Sequence, residues 1–231
     1  MELVEGGDLS EPIKRRRLVP ETELRVWLRC LFVGLEHLHL SGVTHRDIKP
    51  ENLLWDATAN VAKITDFGVA GFFPDALGGD FMQSTQGSFV FFAPEMCRKM
   101  GGAGYSARAA DLWACGVSLF MWLYHVPPYD ADSIPDLLEK ISSHEILYPA
   151  DERSSPELLT LLHGLLERTP KLRLRCRELR RDAFLTEGGS DPLDASLIES
   201  DRIASASKAD LVNAIKRVKL QLRAKDQELD E

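Results

Sequence analysis

His45-Arg46-Asp47-Ile48-Lys49-Pro50-Glu51-Asn52 decides how this chain is read. The block sets a carboxylate, an ammonium and a carboxamide on one short loop. Asp66-Phe67-Gly68 follows, adding a second carboxylate before a glycine that lets the chain turn, and then comes Ala93-Pro94-Glu95. Phosphoryl transfer uses such a set. A metal bridges phosphates, a carboxylate orients the attacking hydroxyl, and a cation offsets charge on the moving group. Asp-Phe-Gly alone reads equally as a turn between strands. The three blocks in this order are far more specific than any one of them.

Composition narrows the setting. A chain of 231 residues has room for one domain with a sizeable core and a tail. Apolar content of 44% and charged content of 28% are those of an ordinary globule. The net charge of -8 argues against a general nucleic-acid binder. No apolar run reaches the ~20 residues of a transmembrane segment. Met1-Glu2-Leu3-Val4-Glu5-Gly6 is acidic and lacks the basic start of a secretory signal. Cys30, Cys97, Cys115 and Cys176 have no paired spacing, so they read as reduced thiols of an intracellular, cytoplasmic protein.

The block is flanked by helical patterns. Upstream, Leu9 to Arg17 is a polar loop with a basic run, Lys14-Arg15-Arg16-Arg17, which reads as a solvated face or a lure for an acidic substrate segment. Pro20 opens a helix with Glu21 and Glu23 in its first turn. Leu24, Trp27, Leu28, Leu31, Leu35 and Leu38 make its buried face, and Gly42 ends it. His37 and His39 near that end suit the helix dipole and carry no assigned chemistry. Downstream, Asp56 to Asn60 is a turn and Val61-Ala62-Lys63-Ile64 a strand. The stretch from Asp111 to Leu119 begins a helix apolar nearly all round, which belongs inside a core, and Pro127-Pro128 stops it. Amphipathic helices follow near Ile134 to Ile141, Pro156 to Leu166 and Arg177 to Ala183.

At these residues the chain resembles a eukaryotic protein kinase. The resemblance runs from Met1 to about Asp194 and covers the hinge and C-terminal lobe of such a domain. It implies a mainly α fold with a small β component and a C-terminal helical tail, with ATP and Mg2+ as cofactors and a protein Ser/Thr hydroxyl as acceptor. In this resemblance Asp47 orients the hydroxyl and Lys49 stabilises the transferring group. Asn52 and Asp66 ligate the metal, oxygen donors that suit magnesium. Met1 falls at the gatekeeper, the backbone of Glu2 and Val4 meets adenine, Asp8 lies near ribose, and Leu54 floors the adenine pocket. Without the downstream motifs, Met1 to Asp8 is an edge strand with a glycine turn. His45 packs under Phe67, and Arg46 pairs with an activation segment that holds Ser84 and Thr85 as phosphosites or simple loop hydroxyls. Ser88 takes the place of a threonine that bonds the catalytic aspartate, and Phe89 stands where many kinases have proline. Asp111 caps amides of the His45–Asn52 loop. Glu95, as a buried carboxylate, needs a partner, and Arg173 in Thr169-Pro170-Lys171-Leu172-Arg173 is the candidate.

The C-terminal stretch Phe184-Leu185-Thr186-Glu187-Gly188-Gly189-Ser190-Asp191-Pro192-Leu193 is similar to the end of the calcium/calmodulin-dependent protein kinase kinases, whose relatives activate the AMP-activated kinase group. The organisation read from the sequence is a partial kinase domain over 1–187, a linker over 188–207 and a basic amphipathic tail over 208–231. Lys208 to Lys225 suits calmodulin, a membrane surface, its own domain, or a merely solvated helix. The glycine-rich loop, strand lysine and helix glutamate of a kinase N-terminal lobe do not occur before the hinge, so the chain reads as truncated and doubtful in activity alone. The readings are a serine/threonine kinase piece, a non-catalytic kinase-lobe interaction module, and a calmodulin- or membrane-responsive regulator.

Overall fold

A computed structural model describes residues 4–73, 81–82, 86–98 and 104–193, with Asn213 and Ile215. Helices form the core, and among the described residues the strands make three two-stranded antiparallel ribbons. This is the expected mainly α fold with a small β component.

After a single turn, α1 (Glu11–Lys14), the long α2 (Glu21–Leu40) buries every apolar position that its three- and four-residue steps mark out. Pro20 precedes the first turn with extended backbone, and Gly42, at φ +73°, lets the chain reverse beyond Ser41. β1 (Val43–Thr44) pairs with β4 (Gly71–Phe72). Between them, β2 (Leu53–Asp56) pairs with β3 (Val61–Ile64) around the expected turn, where Asp56 Oδ1 accepts the Ala59 amide at 3.0 Å and Asn60 takes φ +53°. β5 (Phe81–Met82) pairs with β6 (Tyr105–Ser106), and α3 (Pro94–Arg98) lies between them in sequence.

α4 (Ala107–Tyr124) is the centre of the molecule, buried on nearly all sides and packed on α6 (Pro156–Leu165). It begins four residues before the expected Asp111. Ser106 caps it, its Oγ accepting the Ala109 amide at 3.2 Å, so Asp111 lies in the second turn and its carboxylate is free of capping duty. His125 closes the helix in the left-handed conformation ahead of Pro127. α5 (Ile134–Ser143) and α6 open with serine caps, Ser133 and Ser155, each followed by a proline in the first turn. α7 (Cys176–Leu179) is shorter than the 177–183 pattern suggested, and the chain continues in turns tied by Asp182 and Thr186.

Two long-range ties set the ends of this body. Trp122 Nε1 donates to the Leu9 carbonyl at 2.8 Å, fastening the first loop to α4. Arg25 and Arg29 of α2 donate to the carbonyls of Phe184, Leu185 and Pro192, which holds residues through 192 against the domain. Most of the tail at 208–231 lies outside the described residues. Ile215, however, is helical and only 2% exposed, packed within the main core cluster.

Candidate functional site

Ribbon geometry brings the first two motifs together. Beyond β1 the chain loops through His45 to Lys49, makes one 3-10 turn at Pro50–Asn52 and enters β2. Leu53 faces Ile64 across the ribbon, so Asn52 and Thr65 share one end, and the Thr65 amide donates to the Asn52 carbonyl at 2.9 Å. Asp66 is the next residue. It takes φ +60°, and its Oδ1 accepts the Gly68 amide at 3.2 Å.

Beneath this end, buried Asp111 of α4 holds the loop from inside. Its Oδ1 accepts the Arg46 amide at 2.8 Å, and its Oδ2 accepts the His45 amide at 3.0 Å and His39 Nε2 at 2.9 Å. Three donors on two oxygens satisfy a carboxylate that would otherwise be costly to bury. His39 therefore has a positioning contact that the helix-dipole expectation missed. No local pattern could show it, since its partner lies 72 residues away. His39 Nδ1 in turn accepts the Cys176 thiol at 3.6 Å. Burial, with the Glu36 and Asp111 charges, pushes that thiol up to about 12, so it stays protonated and able to donate.

His45 is fully buried with its ring edge-on to Phe67 at 5.1 Å. Nε2 donates to the Thr65 carbonyl at 2.8 Å, and Nδ1 accepts the Asp47 amide at 3.3 Å. Those contacts suit one neutral tautomer. Burial lowers the imidazole below its ordinary value, against the pull of the Asp111, Asp47 and Asp66 charges, all of which reach the ring. This ring packs and orients; it is not placed to act as a cationic group.

Asp47 is gripped on both oxygens. Oδ1 accepts the Ser88 amide at 3.0 Å and the Ser88 hydroxyl at 3.2 Å. Oδ2 lies 2.7 Å from Lys49 Nζ and accepts Asn52 Nδ2 at 3.0 Å. Lys49 Nζ also donates to Ser88 Oγ at 2.9 Å. Burial works to raise the carboxyl, but the Lys49 hydrogen bond and charge, the Ser88 amide and Asn52 together hold it below the usual carboxylate value. Gly87 permits this closeness. It takes φ +111°, and a Cβ there would stand 2.5 Å from the Arg46 carbonyl oxygen.

Asn52 donates its amide hydrogens to the Asp47 carbonyl at 2.8 Å and to the Asp47 carboxylate. Its Oδ1 is thereby left as a hard acceptor, and Asp66 keeps a second oxygen beyond the Gly68 contact. An amide oxygen and a carboxylate oxygen fit magnesium, which retains waters and substrate oxygens in its shell. Among the described residues no group of three or more His, Cys, Asp or Glu side chains is poised for a metal.

The other expected contacts sit along β2. Gly7 accepts the Trp55 amide at 2.9 Å and the Leu9 amide donates to the Leu53 carbonyl at 2.9 Å, which sets Asp8 opposite Leu54. Asp8 Oδ1 accepts the Ser10 amide at 2.9 Å and also the Ser10 hydroxyl, an engagement the sequence did not announce. Val4 is half-buried at the start of this strip, while Met1 and Glu2 lie outside the described residues, as do Ser84 and Thr85. The Arg46 side chain bonds Tyr105 on β6. Arg173 makes the expected pair with Glu95, bidentate at 2.7 and 2.9 Å and almost wholly buried, with the guanidinium over the Trp113 ring.

The family model for the protein kinase domain matches residues 1–185. The chain belongs to the protein kinase family. CBL-interacting protein kinase 24 of Oryza sativa subsp. japonica is 34% identical over 184 residues, covering 80% of this chain and 39% of that protein. The calcium/calmodulin-dependent protein kinase kinase cmkC of Emericella nidulans is 35% identical over 196 residues, covering 84% and 37%. The SNF1-like protein kinase ssp2 of Schizosaccharomyces pombe is 33% identical over 179 residues, covering 78% and 30%. This kinase chain thus spans less than half the length of these curated relatives. No described helix is long and apolar enough to cross a membrane.

Proposed function

We propose that this chain supplies the hinge and catalytic loop of a cytoplasmic serine/threonine protein kinase that moves the ATP γ-phosphoryl group to a protein hydroxyl. The observation that carries the proposal is the grip on Asp47: an ionised carboxylate, tied by Ser88 on one oxygen and by Lys49 and Asn52 on the other. A carboxylate held in this way can accept the hydrogen bond of an incoming hydroxyl and aim its oxygen without rotating. Lys49, beside it, offsets negative charge on the group in transit. Asn52 Oδ1 and Asp66 would hold Mg2+, which supplies charge neutralisation of the phosphates. Val4 and Glu2 would meet adenine through their backbones, Leu54 would lie under the ring, and Asp8 would receive the ribose with the oxygen that Ser10 leaves.

The finer assignment is an upstream activating kinase of the AMP-activated kinase group, supported by the C-terminal stretch from Phe184 to Leu193 and by the likeness to cmkC. In this proposal residues 1–187 are part of a kinase domain and 188–207 lead to the tail at 208–231. Burial of Ile215 in the core favours a tail that docks on its own domain over one held open for calmodulin. The test is Mg2+-dependent transfer of labelled phosphate to a protein substrate by the longest product that carries this chain. Asp47→Asn, which keeps the size and loses the charge, is expected to cut turnover about a thousandfold. Turnover within a few-fold of the unmodified protein refutes the role given to Asp47.

A further inference from the structure

A groove of about 820 Å³ opens between the end of α2, the start of α4 and the stretch from Thr169 to Arg177. That volume is ample for several residues of a peptide. Among the described residues its lining carries six cationic side chains and two carboxylates, on a chain whose net charge is -8. Both carboxylates are already engaged: Glu95 with Arg173, and Glu36 with Arg180 at 2.9 Å. Lys171, Arg175 and Arg177 stand exposed on one wall, and no ion pair among the described residues involves Lys171 or Arg175. Arg98, on another wall, donates among the described residues to the Ser142 carbonyl, a bond that does not neutralise its charge. The floor is apolar. Leu112 and Leu174 form it, and Leu40, 69% exposed at the end of α2, stands at its edge.

We propose that this groove docks an acidic peptide segment of a partner protein, with one apolar side chain seated on the leucines and carboxylates facing the arginine and lysine wall. The two demands are met together only by such a segment. A plain polyanion has nothing to place on the leucine floor. A purely apolar helix leaves the unpaired cations facing it. His39, whose Nε2 bonds Asp111 beneath the His45–Asn52 loop, also lines the groove. The bound segment therefore sits one side chain away from the carboxylate that holds that loop.

Binding is read without turnover, so the result stands apart from the assignment of phosphoryl transfer. The probe is a fluorescein-labelled peptide with glutamates on both sides of a single leucine, titrated with the 231-residue chain by fluorescence anisotropy. Its controls are the same peptide with lysine for glutamate and with serine for leucine. Saturable binding is expected for the first peptide alone, weakened by salt. Lys171→Glu with Arg175→Glu should lower the affinity about tenfold or more, since both side chains are exposed and their reversal sets like charges together. Circular dichroism of the double variant checks that the fold is kept, and Leu40→Ser gives a second, uncharged test of the same site. Equal affinity for the three peptides, or for the parent and both variants, overturns the proposal. So does binding to anionic phosphatidylserine vesicles that the glutamate peptide does not compete for.

Discussion

Ser88 touches both charged groups at the centre of the site, through its amide and hydroxyl to Asp47 and its Oγ to Lys49. Ser88→Ala removes the hydroxyl and leaves the amide, so Asp47 stays folded in place but turns more freely. Loss of one such hydrogen bond is worth about 1 kcal/mol, so kcat should fall about fivefold with the KM for ATP unchanged, and Ser88→Thr should restore it. A drop in KM alone, or no recovery with threonine, would show that Ser88 does not act through Asp47. His45 invites a different measurement. Its two contacts require Nε2–H and a bare Nδ1, and protonation would turn Nδ1 into a donor facing the Asp47 amide. Because the folded imidazole titrates below its ordinary 6.5, the unfolded chain takes up the proton first as pH falls. Stability from this residue is therefore whole above about pH 6.5 and declines below it. Nitrogen NMR should find the Nε2–H tautomer at neutral pH. A doubly protonated His45 at pH ~6.5 would contradict the packing described. Of these residues, Asp47, Lys49, Asn52 and Asp66 stood out in the sequence as a candidate set because phosphate chemistry restricts the side chains that can serve, and the structure sets the first three in contact beside the turn that carries Asp66. The Asp8–Ser10 and His39–Asp111 contacts did not stand out, because short polar residues have many partners open to them and only the folded backbone selects one.

Glu95 and Arg173 join an element to a loop. Glu95 lies on α3 and Arg173 on the stretch before α7; both are buried, and Arg173 also donates to the carbonyls of Glu167 and Ala109. Removing one partner strands the other charge in an apolar setting. Arg173→Ala should cost about 3–5 kcal/mol of stability, read as a lower urea midpoint with little change in slope. A loss below about 1 kcal/mol would mean that water reaches Glu95 and that the pair is not the staple it looks to be. The element boundaries show how far periodicity carries. The apolar stripe of α2 placed its buried face correctly, because little but a helix with one side in a core sustains a three-to-four step over many turns. For α4 the apolar character was equally plain, yet the start was set too late. Ala107 to Ala110 carry no stripe, and the signal was Ser106, a lone capping serine among many serines. α7 ended early for the converse reason, since an amphipathic pattern that short can be met by turns as well.

At the scale of the molecule, α4 is the most enclosed helix, buried along most of its length. α6 packs against it, α2 and α4 meet at the β1 end through Asp111, and Trp122 holds the first loop by way of Leu9. Leu119, Val117, Cys115 and Trp113 are all but inaccessible. A helix enclosed in this way cannot open without parting the core, whereas α5 exposes one side to solvent. Amides from Cys115 to Phe120 should accordingly exchange with deuterium only through global unfolding, while those of α5 exchange by local opening. Added urea separates the two cases, since global opening is steeply urea-dependent and local opening is not. Exchange of the Cys115–Phe120 amides at the rate seen in α5, insensitive to urea, would mean that α4 can detach alone. It would also unseat Asp111, and with it the His45–Asn52 loop, from the rigid support that the site requires.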